Sequence, residues 1–334
     1  VSTAPPVGKV IVVRTSERRS LKRCPQQWEW SWRKGLQPNA VDTKLWFGQG
    51  IHFALAEWYM PGAERGVHPA QTFALFVRNE ERYVRDGNGL INEQQWVDAR
   101  DLGMNMLYEY VVSYGKDEDW DVIATEQTFE VVIRMPDGQT IIYTGTFDGV
   151  YRDRKTGKLW LMEHKTAAGI PNTGYLELDD QAGSYFAFAE PVLKALGIML
   201  EHEHLEGIMY NFLRKAMPDD RPTDDQGRSL NKDGSISKVQ PKPLFKRYPV
   251  WRSPKQRLKM VDNVRNEVML MNAYRSGQLP ITKTPTSNCQ WDCGFFQMCQ
   301  LHEQGEDWTE FRAAMFNRRD PYEDHRLALK SADM

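Results

Sequence analysis

Apolar and polar residues alternate along this chain with two different periods. Over residues 43–59 apolar side chains lie on nearly every face of a helical wheel (Leu45, Trp46, Phe47, Ile51, Phe53, Leu55, Trp58, Tyr59), which predicts a buried helix ended by Pro61-Gly62. Before it, Val10 to Val13 reads as a short strand, Ser16 caps a helix running to about Lys34, and the stretch through Pro6 reads as loose. Two more helices are predicted, at about Pro69–Arg85 and Glu93–Ser113. Between Asp121 and Lys165 the period falls to two. Glu126–Met135, Gln139–Tyr151 and Lys158–Thr166 read as a three-strand meander, with turns at Pro136-Asp-Gly138 and Lys155-Thr-Gly157. Asp179 then opens a helix to about Leu200, and Glu206–Leu213 reads as a strand. Helices at Pro254–Arg275 and near Asp307–Asn317 complete the order, which describes an α/β core with helical additions.

With 334 residues, 41% of them hydrophobic and 26% charged, the chain can bury a substantial core. No apolar run approaches the roughly 20 residues of a membrane span and no signal peptide precedes the first charges, so a cytoplasmic protein is expected. The net charge of −2 conceals two basic stretches. Arg14 to Lys34 carries seven bases against Glu17 and Glu29, and Arg228 to Lys259 has Asp233 as its one acid. Either suits a polyanion held along one surface, or is ordinary solvated charge. Residues 218–250 read as a basic loop or mobile hairpin. No Gly-x-x-x-x-Gly-Lys-Ser/Thr stretch occurs, so no nucleotide-driven motor is indicated.

The candidate chemistry starts at the hairpin Gly145-Thr-Phe-Asp148 to Glu163-His-Lys165. Alternation puts Glu163 and Lys165 on one face, following Leu159 and Leu161, with His164 on the other. Asp148 on the neighbouring strand can approach Glu163, and two such carboxylates invite a hard divalent ion between them. A lysine beside that ion can hold or activate a water, the outline of metal-dependent phosphodiester hydrolysis. Acid and lysine pairs on exposed strands are also common, and the spacing alone is weak. Glu126, an acid on an adjacent strand, is a candidate for a second metal.

Three further signals lie elsewhere. Gln181 and Tyr185 are four apart on a predicted helix and share a face, where they could hold a phosphate or a water. His52 lies in the most apolar helix and is either a core histidine bonded to a carbonyl or a metal ligand. The only cysteines are Cys24, Cys289, Cys293 and Cys299. Without a secretion signal disulfides are the lesser use, and four thiolates could hold zinc or an iron–sulfur cluster, or simply be free. Trp28, Trp30 and Trp32 interleave with bases such as Arg18, Arg19 and Lys22 and could stack on nucleobases, although helical spacing favours core packing for at least two of them.

Together these residues resemble the PD-(D/E)XK nuclease superfamily, in its RecB-like branch, which includes CRISPR-associated adaptation nucleases and the nuclease domains of recombination helicases. The resemblance runs from Thr15 to Cys299. Thr15 to Pro25 resembles the opening segment with the first cluster cysteine. Gly48-Gln-Gly-Ile-His52 with Glu57 resembles the first motif, Gly145-Thr-Phe-Asp148-Gly the second, Glu163-His-Lys165 the third and Gln181-Ala-Gly-Ser-Tyr185 the fourth. The cysteine trio departs from the branch by one residue, with three rather than two between its first pair.

The resemblance implies one nuclease domain over 1–334, with a restriction-endonuclease-like core at 121–213, a helical insertion at 61–120, and an iron–sulfur staple joining 287–299 to Cys24. It implies Mg²⁺ or Mn²⁺ on His52, Asp148 and Glu163, with Lys165, Gln181 and Tyr185 completing the catalytic set and a [4Fe–4S] cluster on the four cysteines. Arg18, Arg19, Lys22 and Trp28 are the candidate DNA contacts. The expected activity is exonucleolytic, on single-stranded DNA ends and in the 5′ to 3′ direction. An endonuclease working with recombination or CRISPR-type partners, or a silent DNA-binding scaffold, are the alternatives.

Overall fold

A computed structural model describes residues 11–39, 43–62, 64–86 and 93–323; the expectation for the stretch through Pro6 falls outside them. The centre is a mixed sheet of β1 (Ile11–Arg14), β3 (Trp120–Arg134), β4 (Thr140–Asp153), β5 (Leu159–Ala167), β6 (Leu205–Arg214) and β7 (Phe245–Trp251). A separate ribbon pairs β2 (Leu36–Pro38) with β8 (Phe316–Arg318). In the main sheet β4 runs antiparallel to β3 and β5 and parallel to β1, β5 is parallel to β6, and β7 closes the edge antiparallel to β6.

The pairing of β4 has a gap that shapes the molecule. One edge is paired with β3 along most of its length. On the other edge β1 takes residues 141–144 and β5 takes residues 149–152. Residues 145–148, the Gly-Thr-Phe-Asp stretch, fall between these two partners.

One face of the sheet packs on α6 (Asp180–Ala195), with α7 (Pro254–Arg275) outside it. Phe147, Leu161, Phe186, Tyr210, Val264 and Val268 belong to this core. Both helices are capped by their own sequence. Asp179 accepts from the Gln181 N–H at 3.0 Å, and Ser253 and Gln256 form a capping box ahead of Pro254. The other face is covered by α3 (Thr43–Trp58), α4 (Pro69–Asp86) and α5 (Glu93–Tyr114), through Trp46, Ile51, Phe73, Leu107, Trp160 and Leu213. Gly50 lets α3 and α4 meet, since a Cβ there would lie 2.7 Å from the Phe76 ring. Among the described residues no helix is long and apolar enough to cross a membrane.

Several sequence expectations are corrected. The helix expected to run to Lys34 breaks at Cys24, whose φ of −164° and ψ of 114° are what a following proline imposes. It becomes α1 (Thr15–Arg23), α2 (Pro25–Trp28) and a π-helical turn at Glu29–Arg33. The α3 helix is not buried all round, because Leu45 and Phe53 are exposed. The segment 218–250 is not one mobile loop. It forms two successive tight turns, closed by Thr223↔Ser229 and Leu230↔Ile236, and then strand β7. Pro249 and the bases Lys246 and Arg247 hide that strand from a period-two reading, and a sheet edge tolerates its proline.

Candidate metal centre

Asp148 stands where β4 lacks a backbone partner on one side. Its Oδ2 accepts the His164 backbone N–H at 2.7 Å, so a side chain substitutes for the missing ladder bond. Its Oδ1 lies 3.3 Å from Nδ1 of His52, which α3 brings across from the opposite layer. Glu126 faces Asp148 from β3, between the pairs Thr125↔Gly149 and Gln127↔Phe147. Its φ of 46° is left-handed, unusual for a glutamate and costly by about 1–2 kcal/mol. One ligand atom each from His52, Glu126 and Asp148 all lie within 4.8 Å of one another.

Glu163 and Lys165 lie on the next strand and share a face as expected. Lys165 Nζ donates to Glu163 Oε1 at 2.5 Å and to Gln181 Oε1 at 3.0 Å. The Glu163 carboxylate is therefore held by the lysine and stands outside the three-residue group, where Glu126 takes the place expected for it. Tyr185, one turn after Gln181, lies edge-on to Phe147 and Phe129, at 6.0 and 5.7 Å between ring centres. Gly145 makes that seat possible, since a Cβ would lie 2.6 Å from Tyr185 Cε1.

The charges are strongly coupled. Burial alone would lower the His52 pKa, but Asp148, Glu163 and Glu126 together raise it to about 9. Glu126 is exposed at its surface, but partial desolvation, reinforced by Asp148 and Glu163, lifts it to about 7 against the opposing pull of His52. Burial likewise raises Glu163 despite Lys165, while His52 outweighs burial at Asp148 and lowers it. Lys165 is raised, because attraction to Glu163 and Asp179 exceeds its desolvation, and it stays an ammonium. Three acids crowded around one imidazole, with two carboxyls pushed upward, are what a divalent cation would relieve.

His164 points to the other face, as alternation predicts, and is buried. Its Nδ1 lies 2.9 Å from Asn211 Nδ2, within hydrogen-bond distance. Burial drives its pKa down to about 3. Asn211 also donates to Tyr110, which with Tyr59 joins the buried Arg247–Asp117 pair.

All four cysteines line one cavity of about 430 Å³ together with Arg23, Trp30, Lys283 and Phe295, and all four are free. Two segments far apart in the chain meet there, through the β2–β8 ribbon and a cluster of Trp30, Leu36, Phe295, Met298 and Phe316. Burial raises the Cys293 and Cys299 thiols, while hydrogen bonds from Thr286 lower Cys289.

The candidate DNA contacts are largely corrected. Arg18 is fully buried between Asp180 and Glu267, and Trp28 is fully buried with its indole N–H on Glu17, so neither can meet a ligand. Lys22 is exposed but paired with the same two acids. Arg19 alone of the four is exposed without such a tie. Trp28 and Trp30 are core residues, as helical spacing favours.

Glu126 is the site residue that sequence reasoning underrated, and a signal for it existed. Met135 N–H bonds to Gln139 O across the Pro136–Gly138 turn. Counting equal steps back and forward from that pair brings Glu126 opposite Asp148.

No family model and no curated protein matches the chain. A solved structure described as "Crystal structure of SSO0001" is similar over 70% of this chain and 88% of that one, at 12% identity and a TM-score of 0.29. A TM-score of that size does not establish a common fold.

Proposed function

We propose that the chain is a divalent-metal-dependent nuclease with a restriction-endonuclease-like core, hydrolysing phosphodiester bonds from DNA ends. The observation that carries this reading is the gap in β4. At that one place Asp148 meets His52 and Glu126, with Glu163, Lys165 and Gln181 beside it. His52, Glu126 and Asp148 would hold the cation, the two carboxylates being the ligands that suit Mn²⁺ or Mg²⁺. When bound, the cation supplies a Lewis acid to a phosphoryl oxygen and lowers the pKa of water.

The protein's own groups account for the rest. Lys165 spends two of its three N–H bonds on Glu163 and Gln181, which leaves one to donate to a non-bridging phosphate oxygen as charge builds there. As an ammonium it donates rather than deprotonates. Glu163, raised by burial, is the adjacent acid able to take the proton of the attacking water. The water oxygen attacks phosphorus, the ester P–O bond breaks, and the departing oxygen takes up a proton from solvent. Gln181 anchors Lys165, and Tyr185 walls the phosphate side of the cleft. The four cysteines around one cavity would hold a [4Fe–4S] cluster that joins Cys24 to the segment 289–299 and takes no part in hydrolysis.

End-labelled linear DNA and closed circular DNA with Mn²⁺ test this reading. A ladder from one end supports the exonuclease and gives its polarity. A nicked circle makes it an endonuclease, and binding without cleavage makes it a scaffold. Lys165→Ala should abolish cleavage while Mn²⁺ still binds; undiminished cleavage would remove Lys165 from the mechanism.

A further inference from the structure

With Trp28 and Trp30 in the core, base stacking needs another aromatic residue, and Trp291 is placed for it. It lies in the short helix α8 (Cys289–Asp292), 64% exposed, between two of the cavity cysteines. Lys44 Nζ sits 5.3 Å from the centre of its ring. The neighbouring acid Asp292 is paired with Arg23 at 3.1 Å.

Lys44 belongs to the first turn of α3, and Lys44, Gly48 and His52 recur every fourth residue along one side of that helix. Each of the three is reached by solvent: Lys44 is exposed, Gly48 half-buried, and the His52 side chain 30% exposed. Gly48 faces the end of β5, where a Cβ would lie 3.5 Å from Thr166 Oγ1, next to Lys165. Lys215 bonds through its backbone to Ala167 and lies 4.9 Å from the Phe47 ring. Lys44 thus links Trp291 to the side of α3 that leads to His52. Eight residues of helix separate Lys44 from His52, about 12 Å. That is the length of roughly three to four stacked nucleotides.

We propose that Trp291 is a stacking platform for one base of a single nucleic-acid strand whose scissile phosphate lies at His52, Glu126 and Asp148, with Lys44 beside it for the backbone. This rests on the nuclease reading of that centre. The uncovered face of an exposed indole accepts any base, so the subsite is indifferent to sequence. Bases inside a duplex are already stacked on one another, so the platform selects an unpaired strand. Lys44, 5.3 Å from the centre of the ring, favours a polyanion over an apolar protein partner on the same ring.

The test is binding of labelled oligothymidylate and of duplex of equal length in Ca²⁺, by the wild-type protein, Trp291→Ala and Trp291→Phe. The ring is exposed, so removing it takes nothing from the core, and unchanged absorbance and metal content confirm that the cysteine lobe is intact. The alanine variant should bind the single strand about 5- to 100-fold more weakly, with phenylalanine restoring most of the loss. One abasic position, roughly three to four nucleotides from the cleaved bond, should weaken the wild type to the same level and leave Trp291→Ala unaffected. Equal single-strand affinity of wild type and alanine variant, as a protein-docking role would give, overturns the proposal. So does an abasic scan with no sensitive position, or an equal loss on duplex. A thymidine dinucleotide, too short to reach Trp291, should be cleaved equally by both proteins in Mn²⁺. If the wild type cleaves no substrate the nuclease reading fails, and the stacking subsite is judged separately by its Ca²⁺ binding.

Discussion

Gly145→Ala is a one-methyl perturbation aimed at the gap in β4. Gly145 has an ordinary φ, so the cost comes from space rather than from backbone strain. The new Cβ would lie 2.6 Å from Tyr185 Cε1 and 3.0 Å from Phe129 Cε1 and Cζ. Neither ring can easily withdraw. Phe129 stacks on Phe147 at 4.4 Å, and Tyr185 stands edge-on to both. Overpacking of this kind costs about 1–3 kcal/mol. Replacing a strand glycine by alanine returns roughly 0.5–1 kcal/mol. A net destabilisation of about 0–2.5 kcal/mol, centred near 1, is expected from those two ranges. Tyr185→Leu removes the atom that is struck first. On that background Gly145→Ala should be neutral to within about 0.5 kcal/mol, a coupling near 1 kcal/mol or more. Urea unfolding of the wild type, both single variants and the double variant measures it. Equal cost of Gly145→Ala on both backgrounds would refute the claim that this glycine exists to seat Tyr185.

Three other outcomes are expected. His52 is held protonated to about pH 9, so in the metal-free protein its interactions stabilise fully below its unfolded value near 6.5 and fade as pH rises through 9. A cation needs the neutral ring, so Mn²⁺ binding at pH 7 should release about one proton from His52 and part of one from Glu126, and almost none by about pH 10. Calorimetry in buffers of different ionisation heat counts those protons, and proton-neutral binding at pH 7 would contradict the ligand set. Cys24→Ser should abolish the brown colour expected of the purified protein and lower its melting temperature, because the cluster would join Cys24 to the segment 289–299; a colourless wild type with stoichiometric zinc would refute the cluster. Arg247→Met leaves Asp117 buried and unpaired and should cost about 3–5 kcal/mol in denaturant unfolding; a loss below about 1 kcal/mol would show that the pair is not needed.

Much of the α/β core was legible because alternation and turn residues are local signals. Strands β4, β5 and β6 fall within about two residues of their expected bounds, and Glu163, Lys165 and His164 take the faces that a period of two assigns. What escaped depends on pairing between distant segments. Glu126 joins His52 and Asp148 through the β3–β4 register, and the early start of β3 at Trp120 is not written in its own alternation. The role of Gly145 could not be read either, because it depends on a ring forty residues away meeting an unpaired stretch of strand. Arg18 looked like a DNA contact because bases in a row usually face solvent. Asp180 and Glu267, brought from α6 and α7, draw it inside instead.

The central claim is that His52, Glu126 and Asp148 form one cation site serving phosphodiester hydrolysis. It is tested most directly by titrating Mn²⁺ into wild-type and Asp148→Asn protein while following release of nucleotides from end-labelled DNA in the same samples. The wild type should bind Mn²⁺ and cleave in step with occupancy, and the variant should lose both while keeping its fold. Cleavage by Asp148→Asn at the wild-type rate, or cleavage unaffected by removing the metal, would contradict it.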